Sequence, residues 1–394
     1  MENTSADRLA QDLLGYCLEG RPWPEQLLEG LLLDAEGSLA LFRVVVERLG
    51  DLFEPELCSV YAELFSQVIA RRIPDLHAEH LQARYERVRR TRPFDRDPAA
   101  IRNVFVLSRV TLGADVAITS VLLDSAKQRF ANAQIWFVGP RKNWELFEAD
   151  SRLRHLEIAY RRGGVLDDRL SIWEELREAV ALPASIVIDP DSRLTQLGLL
   201  PICAEEDYYF FESRSYGGAS ADSLCALAGR WGSETFGAVD PRPYISTGLA
   251  AEAVATTVSF GVGENPEKRI TDRFEEELLR RLPRPVLIDK GAGGEEAQRV
   301  ERAVAEAGPG VATWGGSFAG FAEHIARSRL YVGYDSAGGH VASACGVPSI
   351  SIFSGFASER MLQRWSPPGA RILRAEQPIA GHALLHAVLQ LVQS

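Results

Sequence analysis

Residues 1 to about 92 repeat apolar positions at helical spacing. Leu27, Leu28, Leu31 and Leu32 form one group, and Leu39, Phe42, Val45, Val46 and Leu49 a second. Val60, Leu64, Val68 and Ile69 form a third. This is the rhythm of amphipathic helices, punctuated at Gly37–Ser38 and Pro55. A basic stretch follows, with Arg84, Arg87, Arg89, Arg90 and Arg92, and then a linker from Pro93 to Pro98. The arginines read either as a solvated helix end or as a patch for anionic lipid or an acidic partner.

From Asn103 the period changes. Asn103 to Val110 is a β-rich run, followed by the turn Thr111–Leu112–Gly113–Ala114 and a helix over 115–130. Strands over 133–138 and 185–188 continue a β–loop–α–β series, the opening unit of a doubly wound sheet. A second series begins near residue 250. Strands are predicted over 255–260, 285–288, 330–334 and 349–353. Helices are predicted over 272–282, 295–306, 321–327, 337–345 and about 380–392. Alternating strands and helices imply parallel sheets. The expected architecture is α/β: a helical extension over 1–95, then two Rossmann-like domains over 96–250 and 251–394 that face a cleft.

The 394 residues suit two to three domains at about 150 residues each. With 43 Lys and Arg against 54 Asp and Glu, the net charge is −11. That balance argues against a nucleic-acid partner, which needs clustered positive charge. Five scattered cysteines, none at CxxC spacing, suggest a reducing compartment and no zinc ribbon. The polar first residues carry no secretory pattern, so a soluble cytoplasmic protein is expected.

Four strand-end loops concentrate the chemistry, because ligands of such sheets bind where helix N-termini point. Gly113 and Asp115 follow the first strand; the carboxylate is either a helix N-cap or a general base facing the cleft. Tyr334 to His340 joins a strand to a helix. There Asp335 and Ser336 start the helix, small residues Ala337 and Gly338 clear space, and free backbone N–H groups can hold a diphosphate. His340 lies about one turn in. Gly263–Glu264 to Lys268–Arg269 offers a point charge and a guanidinium fork for phosphate. Gly291 to Glu295 is no dinucleotide fingerprint, but Glu295 can hold a ribose hydroxyl pair. His77 with His80, and His382 with His386, have helical spacings but no evident third metal ligand. Asp189–Pro190–Asp191 is read as a strand-end turn before a metal motif.

These loops, in this order, resemble glycosyltransferase family 9, the heptosyltransferase family, over residues 103 to 375. The most specific stretch is Leu330 to Gly369, where Asp335, Ser336, His340, Gly346 and Pro348 match the family pattern. Ala337 stands where the family has glycine, Ser354 intervenes before Gly355, and Ala114 is inserted before Asp115. The resemblance implies a GT-B fold, with the sugar nucleotide mainly on the C-terminal domain. It also implies inverting transfer without a required metal. Asp115 would deprotonate the acceptor hydroxyl in the Gly113 loop, and Lys268 would neutralise the diphosphate. Ser336, Gly338 and neighbouring N–H groups would cradle the diphosphate, Glu295 would hold the ribose, and the last helix would pack back on the first Rossmann domain. No cofactor is implied, only a sugar nucleotide, ADP-linked in the heptosyltransferases, as substrate. The acceptor is a glycan, a lipid-linked molecule or a protein. The N-terminal helices are left free to form a homo-oligomer, recognise the acceptor or touch a membrane surface. The alternative function is a non-catalytic nucleotide-binding or scaffold protein of the same fold.

Overall fold

The computed structural model describes residues 4–161, 163–263, 266–270, 273–291, 293–375 and 381–393. Its first sheet contains β1 (Asn103–Leu107), β2 (Gln134–Gly139), β3 (Leu153–Glu157), β4 (Ser185–Asp189) and β5 (Tyr208–Phe210), in the order β3-β2-β1-β4-β5. The second contains β6 (Thr256–Ser259), β7 (Val286–Asp289), β8 (Val311–Trp314), β9 (Leu330–Tyr334), β10 (Ser349–Phe353) and β11 (Arg371–Arg374). Their order is β11-β10-β9-β6-β7-β8. Every pairing is parallel. Both sheets have the central crossover that places ligand sites at the carboxyl ends of the strands.

The two faces of the first sheet go to different cores. Side chains alternate along a strand: Phe105 and Leu107 of β1, Val187 of β4 and Tyr208 and Phe210 of β5 share one core with the N-terminal helices. Val104, Val106, Ile186, Ile188 and Tyr209 belong to the other core. Residues 4–88 therefore form a helical layer on one face of the first sheet, with Leu31, Leu41, Val45, Leu64, Phe65 and Ile69 fully buried in the shared core. The second core continues into the other domain through Phe321, Ala322, Ile325, Val341 and Ala342.

The basic stretch is only partly a solvated helix end: Arg87 and Arg90 are exposed, while Arg84, Arg89 and Arg92 are buried or half-buried. Arg84 donates to the Gly198 carbonyl at 2.7 Å and Arg87 pairs with Glu205 at 2.7 Å. Arg89 pairs with buried Glu212 at 2.9 Å, and Arg92 donates to the carbonyls of Glu205, Glu206 and Tyr208. Four arginines thus tie the helix Ala78–Val88 and its end to the segment around β5. The segment expected to be a linker is likewise fixed: Phe94 is buried against Phe130, Tyr209 and Phe236.

The last helix, Gly381–Gln393, departs from expectation. Leu384, Leu385 and Val388 join Phe274 and Leu278 in the core of the second domain, so it packs on its own domain and does not return to the first. Its apolar stripe is matched there by the helix Phe274–Arg281. No helix among the described residues is long and apolar enough to cross a membrane.

Candidate functional site

The strand-end loops of the two sheets meet. β9 ends at Tyr334, and Asp335 keeps the backbone on the sheet by donating its N–H to the Ile352 carbonyl at 3.0 Å. Ser336 is the N-cap of the helix Ala337–Ala344 but makes no side-chain cap bond; its hydroxyl lies 3.1 Å from the Tyr331 hydroxyl. No side chain therefore caps the helix's opening N–H groups, which is the setting in which an anion binds a helix start.

The small residues here have a packing reason besides ligand access. A Cβ on Gly338 would fall 2.4 Å from the Tyr331 hydroxyl, and one on Gly339 would fall 3.0 Å from the Ser351 hydroxyl. The helix can lie this close to β9 and β10 only without side chains at these positions. Gly113 has the same constraint across the domain boundary, where a Cβ would come 3.3 Å from Ala337 Cα and 3.4 Å from His340 Cδ2.

Lys268 ends the turn Pro266–Lys268 and reaches over β9. Its Nζ is 2.7 Å from Asp335 Oδ2 and 3.1 Å from the Asp335 carbonyl. Ser354 holds this turn by donating to the Glu267 carbonyl at 3.0 Å, and Gly355, at φ +63°, abuts Glu267. The serine that interrupts the family pattern thus anchors the lysine turn. Arg269 and Gly263 are exposed, and Glu264 lies outside the described residues.

Glu295 sits on the exposed side of its helix, whereas Glu296 is half-buried. A Cβ on Gly291 would meet the Glu296 carboxylate at 2.4 Å, and one on Gly261 would meet it at 3.2 Å. Glu296 is thus the carboxylate over the ends of β6 and β7. Sequence reasoning singled out Glu295, and the structure puts Glu296, one residue on, in this place. A turn start with Gly291, Gly293 and Gly294 all at positive φ shifts the helical face that spacing alone would assign.

Asp115 is fully buried, not open to the cleft. Its Oδ1 accepts from the Arg109 N–H at 2.7 Å and the Thr119 hydroxyl at 2.6 Å. Its Oδ2 accepts from the Ser108 hydroxyl and the Asn143 amide, each at 2.6 Å. Burial raises its pKa, while the four donors pull it back. The carboxylate organises the turn after β1 and the start of the helix after β2. Ser108 and Asn143 were not distinguished by the sequence, because only folding brings the ends of β1 and β2 together.

His340 is also buried, with its ring 5.9 Å from Trp365. Burial, reinforced by the Lys268 charge, lowers its pKa to about 4 although Asp335 opposes the shift. The unfolded chain takes up a proton at this site near the ordinary histidine value while the folded chain does not. The stability His340 contributes is present above that value and lost as pH falls towards about 4, up to about 3 kcal/mol in all. Asp189, raised to about 6 by burial, contributes in the opposite sense, its share being lost as pH rises through about 6. We expect His340→Asn to lose less stability than the parent between neutral pH and about pH 5. Urea midpoints at the two pH values measure this, and equal losses would show that His340 is not the group responsible.

The remaining expectations resolve simply. Asp189 accepts from Ser192 N, Thr195 and Tyr208, and Asp191 pairs with Arg214 at 2.9 Å. Both belong to a strand-end turn, Asp189 with both oxygens bonded and Asp191 with Oδ2 alone. His77 and His80 pack ring to ring, and no group of three metal-ligating side chains occurs among the described residues.

No family model and no curated protein matches the chain by sequence. Solved structures do. A glycosyl transferase family 9 protein from Veillonella parvula superposes with a TM-score of 0.54 at 16% identity, covering 75% of this chain and 99% of that one. The Escherichia coli heptosyltransferase WaaC with ADP gives 0.55 at 15% identity, covering 74% and 98%. The same enzyme with ADP-2-deoxy-2-fluoro heptose gives 0.53 at 16%, covering 73% and 99%. The likeness is one of fold: two parallel-sheet α/β domains in the GT-B arrangement.

Proposed function

We propose that this chain is a nucleotide-sugar glycosyltransferase that binds its donor diphosphate at the start of the helix Ala337–Ala344. The observation that carries the reading is the uncapped N-terminus at Ser336, with the Lys268 ammonium held beside it on Asp335. A solved GT-B structure carrying ADP supports the nucleotide class. As the glycosidic bond breaks, negative charge grows on the leaving diphosphate, and preorganised donors aimed there lower the barrier. Lys268 exchanges Asp335 for the diphosphate, the N–H groups of Ala337 and Gly338 take its oxygens, and Arg269 closes the exposed side. Glu296, with Glu295 beside it, faces the ribose. Asp115 takes the acceptor proton, inverting the anomeric centre without a metal. Heptose from an ADP donor is the first candidate sugar.

A second reading, a nucleotide-binding protein that does not transfer, is favoured by one observation: all four hydrogen bonds at Asp115 are made within its own domain.

Thermal melting with ADP, UDP, GDP and dTDP tests the donor site. A ligand at 100 times its Kd stabilises the fold by about 2.7 kcal/mol. At least one nucleotide should raise Tm in the parent, and Lys268→Ala should weaken that nucleotide by about tenfold or more, as expected for a lost charge-assisted contact. No shift with any nucleotide, or an unchanged shift in Lys268→Ala, would remove the proposed site.

A further inference from the structure

Ser223, Ser317, Ser336 and Ser358 each stand at the start of an α-helix with extended backbone. Serine is favoured at this position because its hydroxyl can accept an N–H of the first turn that has no partner within the helix. Three of the four do so. Ser223 accepts from the Ala226 N–H at 3.3 Å, Ser317 from Gly320 at 3.2 Å and Ser358 from Met361 at 3.1 Å. Ser336 makes no such bond. Its backbone is no obstacle, since φ and ψ are −155° and 173° at Ser336 and −159° and 160° at Ser358.

What differs is Tyr331. It lies on β9, between β6 and β10, and is fully buried, with its hydroxyl 3.1 Å from that of Ser336. Two glycines make room for the phenol oxygen. A Cβ on Gly333 would fall 2.5 Å from it, and one on Gly338 closer still. Burial raises the phenol pKa, so the group stays a neutral hydroxyl. A phenylalanine would fill the same core with no buried hydroxyl to satisfy, so packing alone does not ask for the oxygen. With Ser336 drawn towards Tyr331, the Gly339 N–H bonds the Ser336 carbonyl at 3.2 Å. This N–H is the counterpart of those that the other three serines accept.

We propose that Tyr331 is a positioning residue of the donor site: it holds the Ser336 hydroxyl off the first turn of the helix Ala337–Ala344, so that the turn stays open to a diphosphate. This rests on the transferase reading above and adds to it a residue that acts from beneath the helix through Ser336. A capped helix would have to break its cap bond before it took the diphosphate, and the value of that bond would be lost from binding. Tyr331 places this cost on the free protein, where the helix forgoes its cap and the site is ready-made.

ADP is the probe, titrated into the full chain and read by thermal melting in the parent, Tyr331→Phe, Ser336→Ala and the double variant. Tyr331→Phe takes away one oxygen and keeps the ring. Ser336 is then free to cap its helix, and ADP should bind about fivefold more weakly, the equivalent of one cap bond. In the Ser336→Ala background no hydroxyl can cap, and the same substitution should change ADP affinity by less than about twofold. A tyrosine that only supports the fold would weaken ADP equally in both backgrounds. That result, or an unchanged affinity in Tyr331→Phe alone, would overturn the role. Absence of any ADP response in the parent would remove the donor site and this role with it, which sets that failure apart from the failure of Tyr331 alone.

Discussion

A chain that starts at residue 96 should fail to fold as a soluble monomer, although it retains both parallel sheets. The reason is the face of the first sheet that it would leave bare. Phe105, Leu107, Val187, Tyr208 and Phe210 are buried against the N-terminal helices. Each large apolar side chain returned to water costs about 1.5–3 kcal/mol, so these five together approach or exceed the whole stability of an ordinary domain, about 5–15 kcal/mol. The polar losses add to this. Glu212 would lose Arg89 and Tyr85, and the carbonyls of Gly198 and Tyr208 would lose Arg84 and Arg92. Expression and circular dichroism of the 96–394 chain provide the test. A monomer with a cooperative unfolding transition would show that the helices are an appendage and not a layer of the fold.

That result would also mark where the sequence was readable. The inner strands β1, β2, β4, β6, β7, β9 and β10 stand out because parallel strands covered on both faces read as continuous apolar runs. The four strands that the pattern did not reveal, β3, β5, β8 and β11, are the four sheet edges. Three carry polar or charged residues within the strand, as in Leu153-Arg-His-Leu-Glu157 and Arg371-Ile-Leu-Arg374, and β5 has only three residues. An edge strand needs no continuous apolar run and is better protected from aggregation without one. β1 itself stops at Leu107 rather than Val110, because the Ser108 hydroxyl accepts the Val110 N–H at 2.8 Å and Val110 turns to φ +60°. Side-chain to backbone bonds of this sort end strands without any sign in hydrophobic periodicity.

The candidate site divides in the same way. Its loops were legible, because glycine turns and helix starts leave local marks. Orientation was not, because it is decided by neighbours distant in sequence. The Glu295 and Glu296 choice depends on glycines that bend the turn before the helix. Ser354 looked like an interruption and is the anchor of the Lys268 turn. The arginines of the helix Ala78–Val88 looked like surface charge because their partners lie more than a hundred residues away.

Replacing Asp115 should separate its two roles, since structure and chemistry ask different things of it. Asp115→Ala removes the acceptor of four hydrogen bonds. The Ser108 and Thr119 hydroxyls can turn elsewhere, but the Arg109 N–H and the Asn143 amide remain buried and unpaired. At about 1–3 kcal/mol for each orphaned group, the expected loss is about 2–6 kcal/mol. Asp115→Asn keeps the shape and one carbonyl oxygen, and places its NH2 opposite existing donors, so about 1–3 kcal/mol should be lost. Yet it removes the basic oxygens completely. If Asp115 takes the acceptor proton, Asp115→Asn should cut transfer by about 10²–10⁴-fold, with the nucleotide melting shift unchanged. The buried carboxylate then has to surrender one donor on acceptor binding. Asn143 is the cheaper of the two on Oδ2, because Ser108 also accepts the Val110 N–H. Asn143→Ala should therefore retain transfer, with its pH midpoint moved upward because a donor that favours the charged carboxylate is gone. Equal transfer by the parent and Asp115→Asn would leave Asp115 as the fastener of its loop alone, and the base would have to come from another side chain at the domain boundary.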